Sequence, residues 1–142
     1  MFPVTESVPD DSLVDAFWAV ARRLRGISRE TLAPRDITPA MARGLQVLLR
    51  HGPVRPGQLG AHLRIAARSA TEVVDELAER GLVERTPDPA DRRATLIEVT
   101  AAGRRMGDAL REMRRQETQQ MFAELSVTDR AHLARILRKL SG

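Results

Sequence analysis

The sequence predicts a mainly α chain with one small β-hairpin, and three observations carry that prediction. Apolar residues recur at helical spacing over long stretches of the 142 residues. Helix-starting and helix-ending residues punctuate them: Thr38-Pro39, Gly81, Thr100 and Ser126. One interval only, Leu82 to Val99, alternates as strands do, with Pro87-Asp88-Pro89 as its turn.

The elements follow in order. Asp10-Asp11-Ser12 supplies cap acceptors and negative charge for a first helix, in which Leu13, Phe17, Val20, Ala21 and Leu24 form a stripe widened by Val14 and Trp18. Residues 28–37 (SRETLAPRDI) read as a loose end and linker. Thr38 as cap and Pro39 in the first turn open a second helix running to about Arg50, and His51-Gly52-Pro53 stops it. Pro56 begins a short third helix with Leu59 and Leu63 facing inward. The fourth, from about Ala66 to Arg80, buries Ala70, Val74 and Leu77 and turns Arg68, Glu72, Asp75 and Glu79 outward, so that Asp75 and Glu79 read as solvated charge. Gly81 ends it in a left-handed cap. Thr100 caps a long fifth helix whose Met106, Leu110, Met113, Met121 and Leu125 form one apolar stripe around a polar middle, RRQETQQ. Ser126 with Asp129 resembles a capping box and starts a last helix with Leu133, Ile136, Leu137 and Leu140 on its inner face.

In the hairpin, Leu82-Val83-Glu84-Arg85 alternates as a strand, and Thr95, Ile97 and Val99 fall on one face of the second strand. Its tip carries Asp91, Arg92 and Arg93. A helix followed by a hairpin with a guanidinium-bearing tip is the shape of a winged helix-turn-helix, in which the helix enters one groove of DNA and the wing the next.

These residues also carry a family resemblance. Asp91-x-Arg93-x-x-x-Ile97-x-Val99-Thr100, followed by Gly103, resembles the wing signature of MarR-type bacterial transcriptional regulators. Thr38-Pro39-Ala40, Arg55-Pro56-Gly57-Gln58-Leu59 and Glu79-Arg80-Gly81-Leu82-Val83 fall where that family carries similar segments, so the resemblance covers nearly the whole chain. It implies a DNA-binding domain at 38–100, with 1–37 and 101–142 supplying the helices of a dimerisation region.

Sequence is read in the major groove by side chains near the start of a helix, which here are Arg68, Ser69, Thr71 and Glu72. Arg68 can donate twice to guanine, and Ser69 and Thr71 can reach phosphate or base. Glu72 departs from the family pattern, which often has a basic or neutral polar residue there. Either it accepts from a cytosine amino group or it pairs with Arg68 one turn earlier and orients it; the second is favoured. In the wing, the resemblance makes Arg93 the side chain inserted into the minor groove, with Asp91 receiving its guanidinium and Arg92 contacting the phosphate backbone. Ala90 stands where many relatives have another Arg, so one phosphate contact is missing.

One helix and one wing cover too few base pairs to define an address, so a homodimer on a palindrome is expected, its reading helices about 34 Å apart. Leu13, Phe17, Leu133, Ile136, Leu137 and Leu140 are the candidate intersubunit contacts. The resemblance further implies repression relieved by a small aromatic or phenolic effector, in a pocket walled by Trp18, Met41, Leu45, Met106 and Leu110, residues that also suit a plain core.

Composition bounds the alternatives. The chain has no cysteine, which excludes disulfides, thiolate metal sites and thiol redox sensing. No apolar run reaches the roughly 18 residues of a membrane span, and the acidic MFPVTESVPDD lacks the marks of an export signal, so a cytoplasmic location is expected. Net charge is only +4, and residues 51–99 hold seven Arg against eight Asp and Glu; local placement of Arg64, Arg68, Arg92 and Arg93, not bulk charge, has to carry DNA binding. An enzyme is disfavoured: His51, His62 and His132 lack ligand spacing, and there is no Tyr, phosphate loop or nucleophile elbow. Neither a catalytic residue nor a cofactor nor a metal is expected. A winged helix used for protein–protein contact is the remaining competitor, supported by the acidic balance of residues 51–99.

Overall fold

Residues 10–142, which the computed structural model describes, form six α-helices and one antiparallel hairpin: α1 Asp10–Leu32, α2 Pro39–His51, α3 Pro56–Leu63, α4 Ala67–Glu79, β1 Val83–Asp88, β2 Asp91–Val99, α5 Ala101–Phe122 and α6 Val127–Ser141. A short 3-10 turn, Ala33–Arg35, follows α1. The stretch expected to lack an export signal falls on residues 1–9 for all but its last two positions, and so lies outside the described residues.

The caps read from sequence at Thr38, Gly81, Thr100 and Ser126 are in place, whereas Asp10, Asp11 and Ser12 do not cap α1 but lie within its first turn, where the two carboxylates still complement the helix N-terminus. Thr38 Oγ1 accepts from the Met41 amide at 3.2 Å, and Ser126 Oγ accepts from the Asp129 amide at 3.1 Å. Gly81 sits at φ 67°, and the Leu82 amide donates back to the Leu77 carbonyl at 3.0 Å, closing the end of α4. Thr100 does double duty. Its hydroxyl accepts from the Gly103 amide at 3.0 Å and donates to the Gly81 carbonyl at 2.7 Å, joining the start of α5 to the end of α4.

Three further expectations need correction. The first helix does not end near residue 27: it runs to Leu32, and the supposed linker 28–37 is largely helical. Leu32 and Ile37 are buried in the core, and the Thr31 hydroxyl meets the Glu117 carboxylate of α5, so tertiary contacts hold a segment whose polar sequence looks loose. Pro87 does not turn the chain. It lies inside β1 opposite Thr95, which a two-stranded sheet permits because an edge strand can lose an amide donor. The turn proper is Pro89-Ala90, so Asp91, Arg92 and Arg93 begin β2. Asp75 is not merely solvated: its carboxylate accepts from the Arg85 guanidinium on β1.

The core lies among α2, α3, α4 and the inner face of the hairpin. Met41, Leu45, Leu48, Leu59, Val74, Leu77 and Ile97 are fully buried there; each large side chain so placed stabilises by roughly 1.5–3 kcal/mol relative to exposure. On α4 the buried face is Ala70, Val73, Val74 and Leu77, which leaves the opposite face free. Two backbone hydrogen bonds, Val54 to Ile97 at 3.3 Å and Ile97 to Val54 at 2.8 Å, attach the α2–α3 loop to the outer side of β2. Arg80 fastens the far end of α4: it donates to the Glu76 carbonyl at 2.9 Å and to the carbonyl and carboxylate of Asp36 at 2.8 and 3.0 Å. Helix α5 seats on bare backbone, Gly103 lying against Leu82 and Val99, and Gly107 against Leu49. Helix α6 has no extensive packing against the other described elements.

Candidate nucleic-acid interface

Helix α4 presents its first turns to solvent. The preceding Ala66 is extended (φ −61°, ψ 150°) and offers no side-chain cap, so the first amides of the helix point outward without a side-chain partner. Arg68, Ser69, Thr71 and Glu72 are all exposed beside them. Glu72 Oε1 lies 3.6 Å from Arg68 Nε, one turn along, which is the orienting arrangement; with the Arg68 side chain 93% exposed, the pair is worth little energetically and restricts direction more than it adds stability. Thr71 donates its hydroxyl to the Ala67 carbonyl at 3.1 Å, leaving its oxygen free only as an acceptor. Arg64, in the turn between α3 and α4, is exposed and left-handed (φ 55°).

The wing differs from expectation in one particular. Asp91 does not take the Arg93 guanidinium; its Oδ1 accepts from the Arg93 amide at 3.0 Å, a local turn that fixes the backbone of Arg93 and not its side chain. Arg92 and Arg93 are exposed and form no salt bridge among the described residues. By the period of two, Arg93 shares the face of Ile97 and Val99, yet it stands past the edge of the body, where that face meets water.

The carboxylate that organises this turn is Asp88, which sequence reading did not single out for that role. It is the one buried charged side chain among the described residues, at 9% exposure. Oδ1 accepts from the Ala90 amide at 2.9 Å, and Oδ2 accepts from Arg55 Nη2 at 2.8 Å and Arg55 Nε at 3.0 Å. The Ala90 amide first, and the Arg55 guanidinium next, hold its carboxyl below the ordinary aspartate value. Arg55 precedes α3, where its own amide donates to Gln58 Oε1 at 2.9 Å. Only the dipeptide Asp-Pro hinted at a turn in the sequence; nothing local names a partner 33 residues earlier.

Elsewhere, Leu13 (62%), Phe17 (55%), Ile136 (43%), Leu137 (45%) and Leu140 (73%) are exposed apolar side chains on α1 and α6, and Leu133 is half-buried. Of the five residues expected to wall a pocket, Met41 and Leu45 are sealed in the core, Trp18 is 48% exposed, Met106 packs on the core edge and Leu110 alone lines the cavity between α1, α2 and α5. That cavity, about 310 Å³, lies among α1, α2 and α5, with Ile27, Leu32 and Leu110 as apolar wall and Arg25, Arg114 and Glu117 as charged groups. His51 and His62 stack with ring centroids 4.0 Å apart, but no group of three or more metal-ligating side chains exists among the described residues, and His132 is remote from them in sequence. No helix among them is long and apolar enough to cross a membrane.

A three-helix body of α2, α3 and α4, the last open on its outer face, and a hairpin bearing two exposed arginines together define a winged helix-turn-helix protein. Similarity to known proteins narrows this further. A family model described as "MarR family" matches residues 37–95. The uncharacterized HTH-type transcriptional regulator YsmB of Bacillus subtilis is 31% identical over 121 residues, 85% of this chain and 83% of that protein. The HTH-type transcriptional repressor NicR of Pseudomonas putida is 30% identical over 96 residues, 68% of this chain and 61% of that protein. A crystal structure of a mutant MarR from E. coli superposes with a TM-score of 0.83 at 26% identity, over 97% of this chain and 100% of that one. The chain belongs to the MarR family of DNA-binding transcriptional regulators, which are not enzymes.

Proposed function

We propose that this regulator is a ligand-responsive repressor that binds a palindromic operator as a homodimer. The observation that carries the reading is the juxtaposition of an exposed α4 start with an exposed Arg92-Arg93 wing. Arg68 oriented by Glu72, together with Ser69 and Thr71, reads base edges and phosphates in the major groove. Arg93 enters the adjoining minor groove, and Arg92 lies on its phosphate wall. Residues 38–100 form the DNA-binding domain. Segments 1–37 and 101–142 pair with a second copy through Leu13, Phe17, Leu133, Ile136, Leu137 and Leu140, and a protein acting on the chromosome works in the cytoplasm. The exposure of those apolar side chains in the single protomer supports the pairing. Repression is supported by the likeness to NicR, a protein named as a repressor.

The cavity among α1, α2 and α5 is where a small aromatic or phenolic effector would bind. Its volume of about 310 Å³ is at the lower end for small-molecule sites, its walls are largely apolar, and Arg25 and Arg114 can neutralise an anion. It touches both the pairing helices and α2 of the reading domain, so a ligand that favours one spacing of two reading heads lowers operator affinity by its preference for that state.

Selection of duplexes from a randomised pool by the purified protein, followed by titration at several salt concentrations, tests the core of this reading. Binding that falls steeply with salt is expected, because phosphate contacts release counterions. Arg93→Ala should cost roughly 1–3 kcal/mol of operator affinity. Recovery of no enriched duplex, or of binding indifferent to salt, would instead favour a protein–protein module.

A further inference from the structure

We propose that Arg55 and Asp88 form a positioning clamp that sets the reach of the wing, fixing where Arg92 and Arg93 stand relative to α4. The inference rests on the wing reading above, that Arg93 contacts DNA, and adds to it two residues that touch no base or phosphate themselves.

A two-stranded hairpin projecting from a helical body has little to hold its tip. Two strands alone are marginally stable, and a turn of Pro89-Ala90 fixes local backbone but not the direction of the whole ribbon. At its base the ribbon is well held: Val83 and Val99 are buried, and Ile97 exchanges two backbone hydrogen bonds with Val54. Farther out, β2 from Asp91 to Arg93 is exposed. Among the described residues, the one hydrogen-bonded side-chain link between this outer half and the body is the pair Arg55–Asp88. Its geometry is that of a rigid connector. A single carboxylate oxygen takes two guanidinium donors at 2.8 and 3.0 Å while the other takes the Ala90 amide, so each end of Asp88 is committed, one to the turn and one to the body. Arg55 is anchored in turn, because its amide and carbonyl belong to the first turn of α3 and its neighbour Val54 is the residue bridged to Ile97. A turn that begins three residues before Arg92 is thereby tied to the helix-turn-helix unit and moves with it.

The alternative use of Arg55 is direct contact with phosphate, since its side chain is 44% exposed at the start of a helix. The two uses predict opposite effects of freeing it. Asp88→Asn keeps an oxygen for the Ala90 amide but removes the charge that holds Arg55. Arg55→Met removes the guanidinium and keeps the hydrocarbon stem.

The test is a double-mutant cycle against Arg93→Ala on a duplex selected by the wild-type protein, with circular dichroism melts to verify folding and hydroxyl-radical footprints to locate contacts. If the clamp acts through the wing, Asp88→Asn and Arg55→Met each weaken binding by about 5- to 10-fold, a share of what the wing arginine contributes. Both lose protection at the minor-groove positions while the α4 footprint stays. On the Arg93→Ala background each then adds less than about twofold. The dependence of affinity on salt changes no more for Arg55→Met than for Asp88→Asn. Loss of affinity in Arg55→Met alone, with a shallower salt slope and Asp88→Asn neutral or tighter, makes Arg55 a phosphate contact and overturns the clamp. Full additivity with Arg93→Ala, or footprints weakened everywhere alike, overturns it as well. A neutral Arg93→Ala sinks the wing reading itself and takes the clamp's role with it, so the two failures are told apart by that single variant.

Discussion

Replacing Gly103 with alanine isolates the seat of α5. A Cβ built at this position falls far inside van der Waals contact distance of the Leu82 carbonyl oxygen, 2.6 Å from Val99 Cγ1 and 3.0 Å from the Leu82 carbonyl carbon. Two of these atoms are main chain and cannot rotate away, so the start of α5 must shift off the hairpin. That shift disturbs the Thr100 hydroxyl, which caps Gly103 and holds the Gly81 carbonyl. Overpacking of a tight contact costs about 1–3 kcal/mol; alanine's better helix propensity returns at most about 1 kcal/mol, and less than that in a first turn. With two main-chain atoms in the way, the overpacking lies at the top of its range, for a net loss of about 2 kcal/mol. For a chain of this length that is roughly 4–10 °C in Tm. Gly26 is the control, an exposed residue inside α1 with nothing within 4 Å of a built Cβ. There the same substitution should raise stability by up to about 1 kcal/mol. Urea titrations at one fixed protein concentration compare the two. Equal midpoints for Gly103→Ala and the wild type would show that α5 yields freely at its start and that the close seat is no constraint.

Other outcomes follow from the same contacts. Thr100→Val removes the acceptor for Gly103 and the donor to Gly81 while keeping the shape, and should cost about 1–2 kcal/mol in the same titrations. Phe17→Glu together with Leu137→Glu places charge on the exposed apolar face; sedimentation at micromolar concentration should show a dimer for the wild type and a monomer for the variant. Asp88 has a depressed carboxyl, so its contribution is fully present above the unfolded aspartate value of 3.8 and is lost as pH falls through the lower folded one. The stability gap between wild type and Asp88→Asn should therefore be constant at neutral pH and close below 3.8, as melts across an acid series would reveal.

What the sequence made legible was local. Thr38, Thr100, Ser126 and Gly81 are each recognised by a bond to a residue one to four positions away, and so are the burial stripe of α4 and the Arg68–Glu72 pair. The hairpin emerged from the Pro and Asp cluster between two β-prone stretches and from Ile97 and Val99 sharing one face; Leu82–Arg85 itself does not alternate, Leu82 and Val83 both being buried and Glu84 and Arg85 both exposed. What escaped depends on residues far apart. Leu32 and Ile37 sit in a polar-looking stretch and are buried only because the core is there to receive them. Arg55 and Asp88 are 33 positions apart, Asp75 and Arg85 meet across the α4–β1 junction, and His51 stacks on His62 through the approach of two helices. A family pattern suggested a side-chain pair at Asp91 and Arg93, whereas the bond formed is to the backbone, a distinction no residue string encodes.

The free edge of the hairpin has a consequence of its own. Strand β2 pairs with β1 on one side and meets the Val54 bridge at Ile97 on the other, whereas no strand or bridge among the described residues flanks the outer side of β1, which keeps an unpaired row of amides and carbonyls. Such a border is a template on which strands from other molecules can grow into aggregates. Here it is short, carries Glu84 and Arg85 side by side, and is interrupted by Pro87, whose missing N–H breaks the row. Pro87 thus guards the outer border of β1 against self-association into fibrils, and threonine or valine at that position would leave the border more adhesive in concentrated solution.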